Sequence, residues 1–83
     1  MIKMYFVYII YSEKFERFYV GLSYNVKQRL KQHNSGKVKP TKPFVKWKLI
    51  HLEKFNTRIE ARIREKYFKS AAGRKWRKIN LGM

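Results

Sequence analysis

The chain contains no cysteine and no aspartate. Without Cys there is no disulfide framework, no thiolate nucleophile and no zinc finger, although this alone assigns no compartment. The only side-chain carboxylates are Glu13, Glu16, Glu53, Glu60 and Glu65. Sites built from two or three clustered carboxylates are therefore hard to assemble. With His33 and His51 as the only imidazoles, a three-histidine metal site is excluded. No GxxxxGK[ST] or GxGxxG run is present, which argues against a nucleotide cofactor. No apolar stretch reaches the length of a membrane-spanning helix. Met4–Tyr11 is apolar, but it is short, rich in tyrosine and followed by Glu13-Lys14, so it makes a poor leader. It reads as the first strand of a soluble, cytoplasmic protein.

Basic charge and aromatic rings are what the chain does have. Its 83 residues carry 21 Lys+Arg against 5 Asp+Glu, a formal net charge of +16. Six Tyr, six Phe and two Trp, with 45% hydrophobic residues, are too many for a disordered basic tail. A folded core is expected, as one domain over residues 1–83. A body this basic attracts polyanions, nucleic acid first and an anionic membrane second.

Tyr5–Tyr11, aromatic and β-branched, reads as strand one. Ser12–Arg17 is a polar connection, and Phe18–Leu22 pairs back as a hairpin. Alternation places Phe6, Tyr8 and Ile10 on one face of the first strand, and Tyr19 and Gly21 on one face of the second. Gly21 leaves an opening for close approach of another group. Asn25 and Gln28 have capping-box spacing, which predicts a helix from there to His33 or Asn34, stopping at Gly36. Lys37–Lys46 is a loop broken by Pro40 and Pro43. Trp47–Leu52 is a third strand. Thr57 and Glu60 form a second capping box, and the next helix runs from Arg58 to Ser70 or Ala72, ended by Gly73. Arg74–Asn80 is a further short helix with Trp76 docked on the core. The expected class is α/β (α+β): a small three-stranded antiparallel sheet flanked by helices, ordered ββαβα with a short C-terminal helix.

On the first helix, Val26 and Leu30 form the apolar seam. Arg29 and His33 flank it, turned toward the interior edge where a solubilising charge has little purpose. They could equally bond the last carbonyls of the helix. Glu65 falls in a row with Ala61, Phe68 and Ala72, although an ordinary i, i+4 pair with Lys69 would also account for it. Glu60 is better explained as the capping-box residue and is the second choice for a ligand. His51 reads as a core or edge residue. Tyr8 and Tyr19 taken singly are ordinary strand tyrosines. Arg58, Arg62, Lys66 and Lys69 form a stripe of the long helix, and Lys37, Lys39, Lys42 and Lys46 crowd one loop. A charge stripe is usually just solvated, but so few acids balance these that phosphate contact is favoured, with Asn34 and Lys42 as further candidates for touching substrate.

Val7-Tyr8-Ile9, Tyr19-Val20-Gly21, Arg29 and His33 on the next helix, and Glu65 followed by Lys69 together resemble the GIY-YIG nuclease domain. Arg64-Glu65-Lys66-Tyr67-Phe68-Lys69-Ser70 is similar to a stretch of its small standalone bacterial (UPF0213-like) members. The resemblance spans positions 7 to 69, with Val7 where the name motif has glycine. It implies metal-dependent hydrolysis of DNA phosphodiesters, as an endonuclease or nickase. Glu65 would hold one Mg²⁺ or Mn²⁺, which a single carboxylate and substrate phosphate can bind. Arg29 would clamp the phosphate. Tyr8 and Tyr19 would orient or activate water, with His33 as a competing base. Specificity is then low or supplied by a partner protein. The alternative is a non-catalytic basic nucleic-acid-binding module on the same fold. A cationic membrane-surface protein ranks below both, for want of a basic amphipathic helix with a strong apolar face.

Overall fold

The computed structural model describes residues 3–83. Three strands make one antiparallel sheet: β1 (Tyr5–Ser12), β2 (Arg17–Ser23) and β3 (Lys48–Phe55), ordered β2-β1-β3. The most apolar strand is thus central, and the two more polar strands are edges. The β1–β2 turn passes through Glu16 in the left-handed region, φ 51°. Across the sheet Tyr8 faces Gly21 on one side and Leu52 on the other. A bulge between Ile9 and Ile10 shifts the β3 register, so Ile9 pairs with His51 and Ile10 with Leu49.

The pleat divides β1 between two cores. Val7 and Ile9 join Val20, Ala61 and Phe68, with Trp76 and Leu81 packed against them. Tyr8 and Ile10 join Trp47, with Tyr19, Val26, Leu30 and Phe44 around them. Helix α1 (Val26–Asn34) and the loop after it, which holds a short 3-10 turn at Lys42–Phe44, cover the second face. Helices α2 (Arg58–Lys69) and α3 (Ala71–Leu81) cover the first. The order ββαβαα confirms the expected α+β class, with the C-terminal helix longer than anticipated.

Both N-caps form as the spacing predicts. Asn25 Oδ1 accepts from the Gln28 amide and Thr57 Oγ1 from the Glu60 amide. Glu60 is indeed spent on its cap, its carboxylate accepting from the Thr57 hydroxyl at 2.8 Å.

Two boundaries differ from expectation. Strand β3 starts after Trp47 and continues to Phe55, past the predicted Leu52. The extension holds because tertiary partners satisfy Glu53: Arg64 Nε and Nη2 donate to it at 2.8 and 3.2 Å, and His51 Nε2 lies 2.7 Å away. Gly73 does not end α2. The chain turns at Ser70, whose hydroxyl caps α3 by accepting from the Gly73 amide. A Cβ on Gly73 would lie 2.2 Å from the Tyr67 carbonyl oxygen and 2.4 Å from Phe68 Cα. The glycine serves a tight helix–helix corner rather than a C-cap.

Candidate functional site

Strand β1 points the Tyr8 ring across β2, over the one position there without a side chain. A Cβ on Gly21 would stand 2.3 Å from the Tyr8 hydroxyl oxygen and 2.4 Å from Cζ. The opening expected at Gly21 is therefore filled by the other tyrosine of the motif. Only 1% of Tyr8 remains exposed.

Helix α1 delivers His33 to the same place, fully buried at 0% exposure. Tyr8 Oη and His33 Nε2 are 2.9 Å apart, and His33 Nδ1 is 2.8 Å from Thr41 Oγ1. Thr41 in turn donates its hydroxyl proton to the Val38 carbonyl at 3.2 Å. A carbonyl can only accept, so Thr41 must accept from Nδ1–H, which leaves Nε2 to accept from Tyr8. The network thus fixes one tautomer and one direction: Tyr8 to His33 to Thr41 to Val38. Both ring nitrogens are used, so His33 has no lone pair open to a water molecule.

Burial pushes the Tyr8 hydroxyl up to about 12, against the pull of the adjacent Arg29 guanidinium and with help from the charges of Tyr19 and Glu65. Burial and the Arg29 charge hold His33 down to about 4. Passing the proton from the phenol to the imidazole is accordingly unfavourable in the free protein. In the free protein the hydrogen bond thus runs from a neutral phenol to a neutral imidazole.

Three more of the expected residues gather here. The Tyr19 ring centroid lies 5.0 Å from that of His33. Arg29, half-buried, is steadied by donating Nη1 to Gln32 Oε1 at 2.9 Å, which leaves other donors of its fork unused. It opens onto a concavity of about 340 Å³ shared with Arg58 and Gln28. Glu65 points inward from α2 and keeps 8% exposure. Its Oε2 accepts from Lys69 Nζ at 2.9 Å, while Arg62 Nη1 stands 3.6 Å from Oε1, too far for a hydrogen bond. Oε1 is buried and has no hydrogen-bond partner. A buried carboxylate oxygen without a donor is costly, and it is the kind of hard ligand that Mg²⁺ or Mn²⁺ takes. No three of His, Cys, Asp and Glu cluster among the described residues, so a cation at Glu65 would draw its remaining ligands from water and phosphate.

The other basic candidates disperse. Arg62 and Lys69 touch Glu65, whereas Arg58, Arg62 and Lys66 also line a shallow outer groove with the exposed Ile59 and Ile63. Lys37, Lys39, Lys42 and Lys46 are all exposed on the loop after α1 and contribute nothing to the Tyr8 cluster. Asn34, a candidate for touching substrate, is occupied instead: its side chain bonds both the amide and the carbonyl of Trp47, stitching α1 to the start of β3. His51 packs between Phe68 and Trp76, as a structural residue would.

Thr41 is the residue that the sequence did not single out. It lies between two prolines in an aperiodic loop, and only the fold brings it to His33.

The chain matches the GIY-YIG catalytic domain over residues 4–80. It belongs to the GIY-YIG family. That family is of nuclease type and acts on DNA. The chain is also similar to the solution NMR structure of the UPF0213 protein BH0048 from Bacillus halodurans, at 28% identity and a TM-score of 0.56. The likeness covers 94% of this chain and 84% of that one. No curated protein matches the chain. Among the described residues, no helix of this GIY-YIG domain is long and apolar enough to cross a membrane.

Proposed function

We propose that this protein hydrolyses DNA phosphodiester bonds as a metal-dependent endonuclease or nickase. The reading rests chiefly on one observation: the fold turns inward a buried carboxylate, Glu65, with an unpartnered oxygen, in a domain that also holds a buried phenol, Tyr8, hydrogen-bonded to His33 and beside the Arg29 guanidinium. A module that only bound nucleic acid would gain nothing from an inward acid beside a phosphate site, because it would repel the ligand.

Each residue then has a physical task. Arg29 offers a rigid fork to two phosphate oxygens and stays charged throughout. His33 takes the Tyr8 hydrogen bond and so turns the phenol's lone pairs away from the imidazole, toward a water molecule that Tyr8 can align for attack. Tyr19 closes the other side of that water. As a neutral phenol Tyr8 aligns the water; to take the water's proton it must first ionise, releasing its own proton to solvent and giving up its hydrogen bond to His33, and positive charge is what brings its pKa down from about 12 toward that state. Arg29 already acts in that direction. Glu65 would hold one Mg²⁺ or Mn²⁺, which when bound supplies a Lewis acid for the phosphoryl oxygens and further positive charge near Tyr8. Lys69, displaced from Glu65 by such a cation, would be free to meet phosphate. The exposed lysines of the α1–β3 loop and the α2 stripe would carry backbone contacts without base specificity.

The test is incubation of supercoiled plasmid with Mg²⁺ or Mn²⁺. Nicked circles are expected from the natural protein and none above background from Glu65→Ala, with plasmid binding retained. Equal nicking by both proteins would remove Glu65 from the chemistry and point to a contaminant.

A further inference from the structure

A second concavity, of about 540 Å³, lies where the edge strand β2 meets α2 and α3. Arg17, Tyr19, Lys69, Arg74 and Arg77 line it, with Glu16 as its only acidic neighbour. Tyr19 and Lys69 also belong to the Tyr8–Glu65 cluster, so the two sites share a wall. Arg74 and Arg77 stand three residues apart on α3, where side chains meet.

Arg77 is unusual in what it lacks. Its guanidinium lies 3.6 Å from the centroid of the Phe18 ring, and its buried Nε–H has no acceptor. The molecule contains its own control in Arg64. That arginine also lies against aromatic rings, those of Tyr67, Phe68 and Trp76, but Glu53 receives two of its donors. Among the described residues the ion pairs are Lys48–Glu13, His51–Glu53, Arg62–Glu65, Arg64–Glu53 and Lys69–Glu65, and none involves Arg17, Arg74 or Arg77. Burial and the neighbouring Arg74 charge both work against the charged form of Arg77. A stacked, partly desolvated guanidinium beside a second one is costly with no anion present, and an anion relieves that cost.

We propose that this α3 concavity is a second phosphate subsite. Arg77 and Arg74 would bind a further backbone phosphate of the same nucleic-acid strand. The subsite rests on the nuclease reading for its ligand, and the shared wall at Tyr19 is what makes a further phosphate the natural occupant. A planar fork locked on Phe18 presents its donors in one orientation, so the subsite would fix where the strand runs and not merely attract it.

The experiment is metal-free, so it is independent of turnover. The Arg77 Nε–H resonance is followed by ¹H–¹⁵N NMR during titration with a short oligothymidylate, and separately with inorganic phosphate. The resonance should shift and saturate with the oligonucleotide. The slope of log Kd against log salt should fall by about 0.7 in Arg74→Gln/Arg77→Gln, the amount for one single-strand phosphate contact. Arg74→Gln alone, at an exposed position, should lower affinity without touching the Phe18 stack. Lys75→Gln, adjacent but outside the concavity, is the charge control and should do less. An Arg77 resonance unmoved while the oligonucleotide binds, or an effect of Lys75→Gln equal to that of Arg74→Gln, overturns the subsite. A response to inorganic phosphate alone overturns its nucleic-acid assignment. Failure of the plasmid assay with these binding results intact would count against the nuclease reading and leave the subsite standing.

Discussion

The two faces of the sheet are built from alternate residues of the same strands but differ in what they bury. Toward α2 and α3, Val7, Ile9, Val20, Ala61 and Phe68 make an apolar core in which shape and area carry the stability. Toward α1, Tyr8 and Ile10 pack with Trp47, yet His33 and Thr41 are buried there as well, joined to Tyr8 by directed hydrogen bonds. A period of two is enough to give the odd residues of one strand to a wholly apolar core and the even ones to a core that also holds a buried hydrogen-bonded cluster. Glu65 sits on the helix of the apolar side, turned inward and buried.

If the division is real, truncation on the apolar face should act on stability first. Phe68→Ala, at a residue 2% exposed, should cost about 3–5 kcal/mol in urea or thermal unfolding. A much smaller loss would mean that the apolar face is not the main source of stability.

The polar face should respond to pH instead. His33 is held near 4 in the folded chain against about 6.5 unfolded, so the unfolded state binds the extra proton first as pH falls. Its contribution is complete above about 6.5 and is lost as pH drops through about 4, up to roughly 3 kcal/mol across that window. Urea midpoints compared between neutral and mildly acidic pH should show the fall, and a His33→Gln chain should show less of it.

The smallest of these effects concerns Thr41. Thr41→Val keeps the shape and removes the acceptor for Nδ1–H, at a cost of about 1–3 kcal/mol. It should also weaken nicking, because the imidazole loses its fixed tautomer, while Thr41→Ser should restore both. A Thr41→Val protein that nicks at the natural rate would reduce Thr41 to packing.

Much of this was legible in the sequence because it is local. The β1–β2 hairpin follows from its aromatic and β-branched runs, the two N-caps from Asn25 and Thr57, and the inward face of Glu65 from its spacing with Ala61 and Phe68. What was not legible depends on distant partners. Polar Glu53 remains in a strand only because Arg64 of α2 binds it, and Gly73 resembled a helix stop until the α2–α3 corner showed its close approach to Phe68. Thr41 and Arg77 carry no periodic signal at all. One is a residue of an aperiodic loop, and the other is one basic residue among many in a chain with 21 of them.

Tyr8→Phe bears most directly on the claim that the chemistry centres on one phenolic hydroxyl. The variant keeps the ring over Gly21 and removes a single oxygen. Single-turnover nicking of plasmid in Mn²⁺ should fall by about 10²–10⁴ while the circular dichroism spectrum and DNA affinity stay those of the natural chain. Nicking at an undiminished rate by a folded Tyr8→Phe protein would contradict the account.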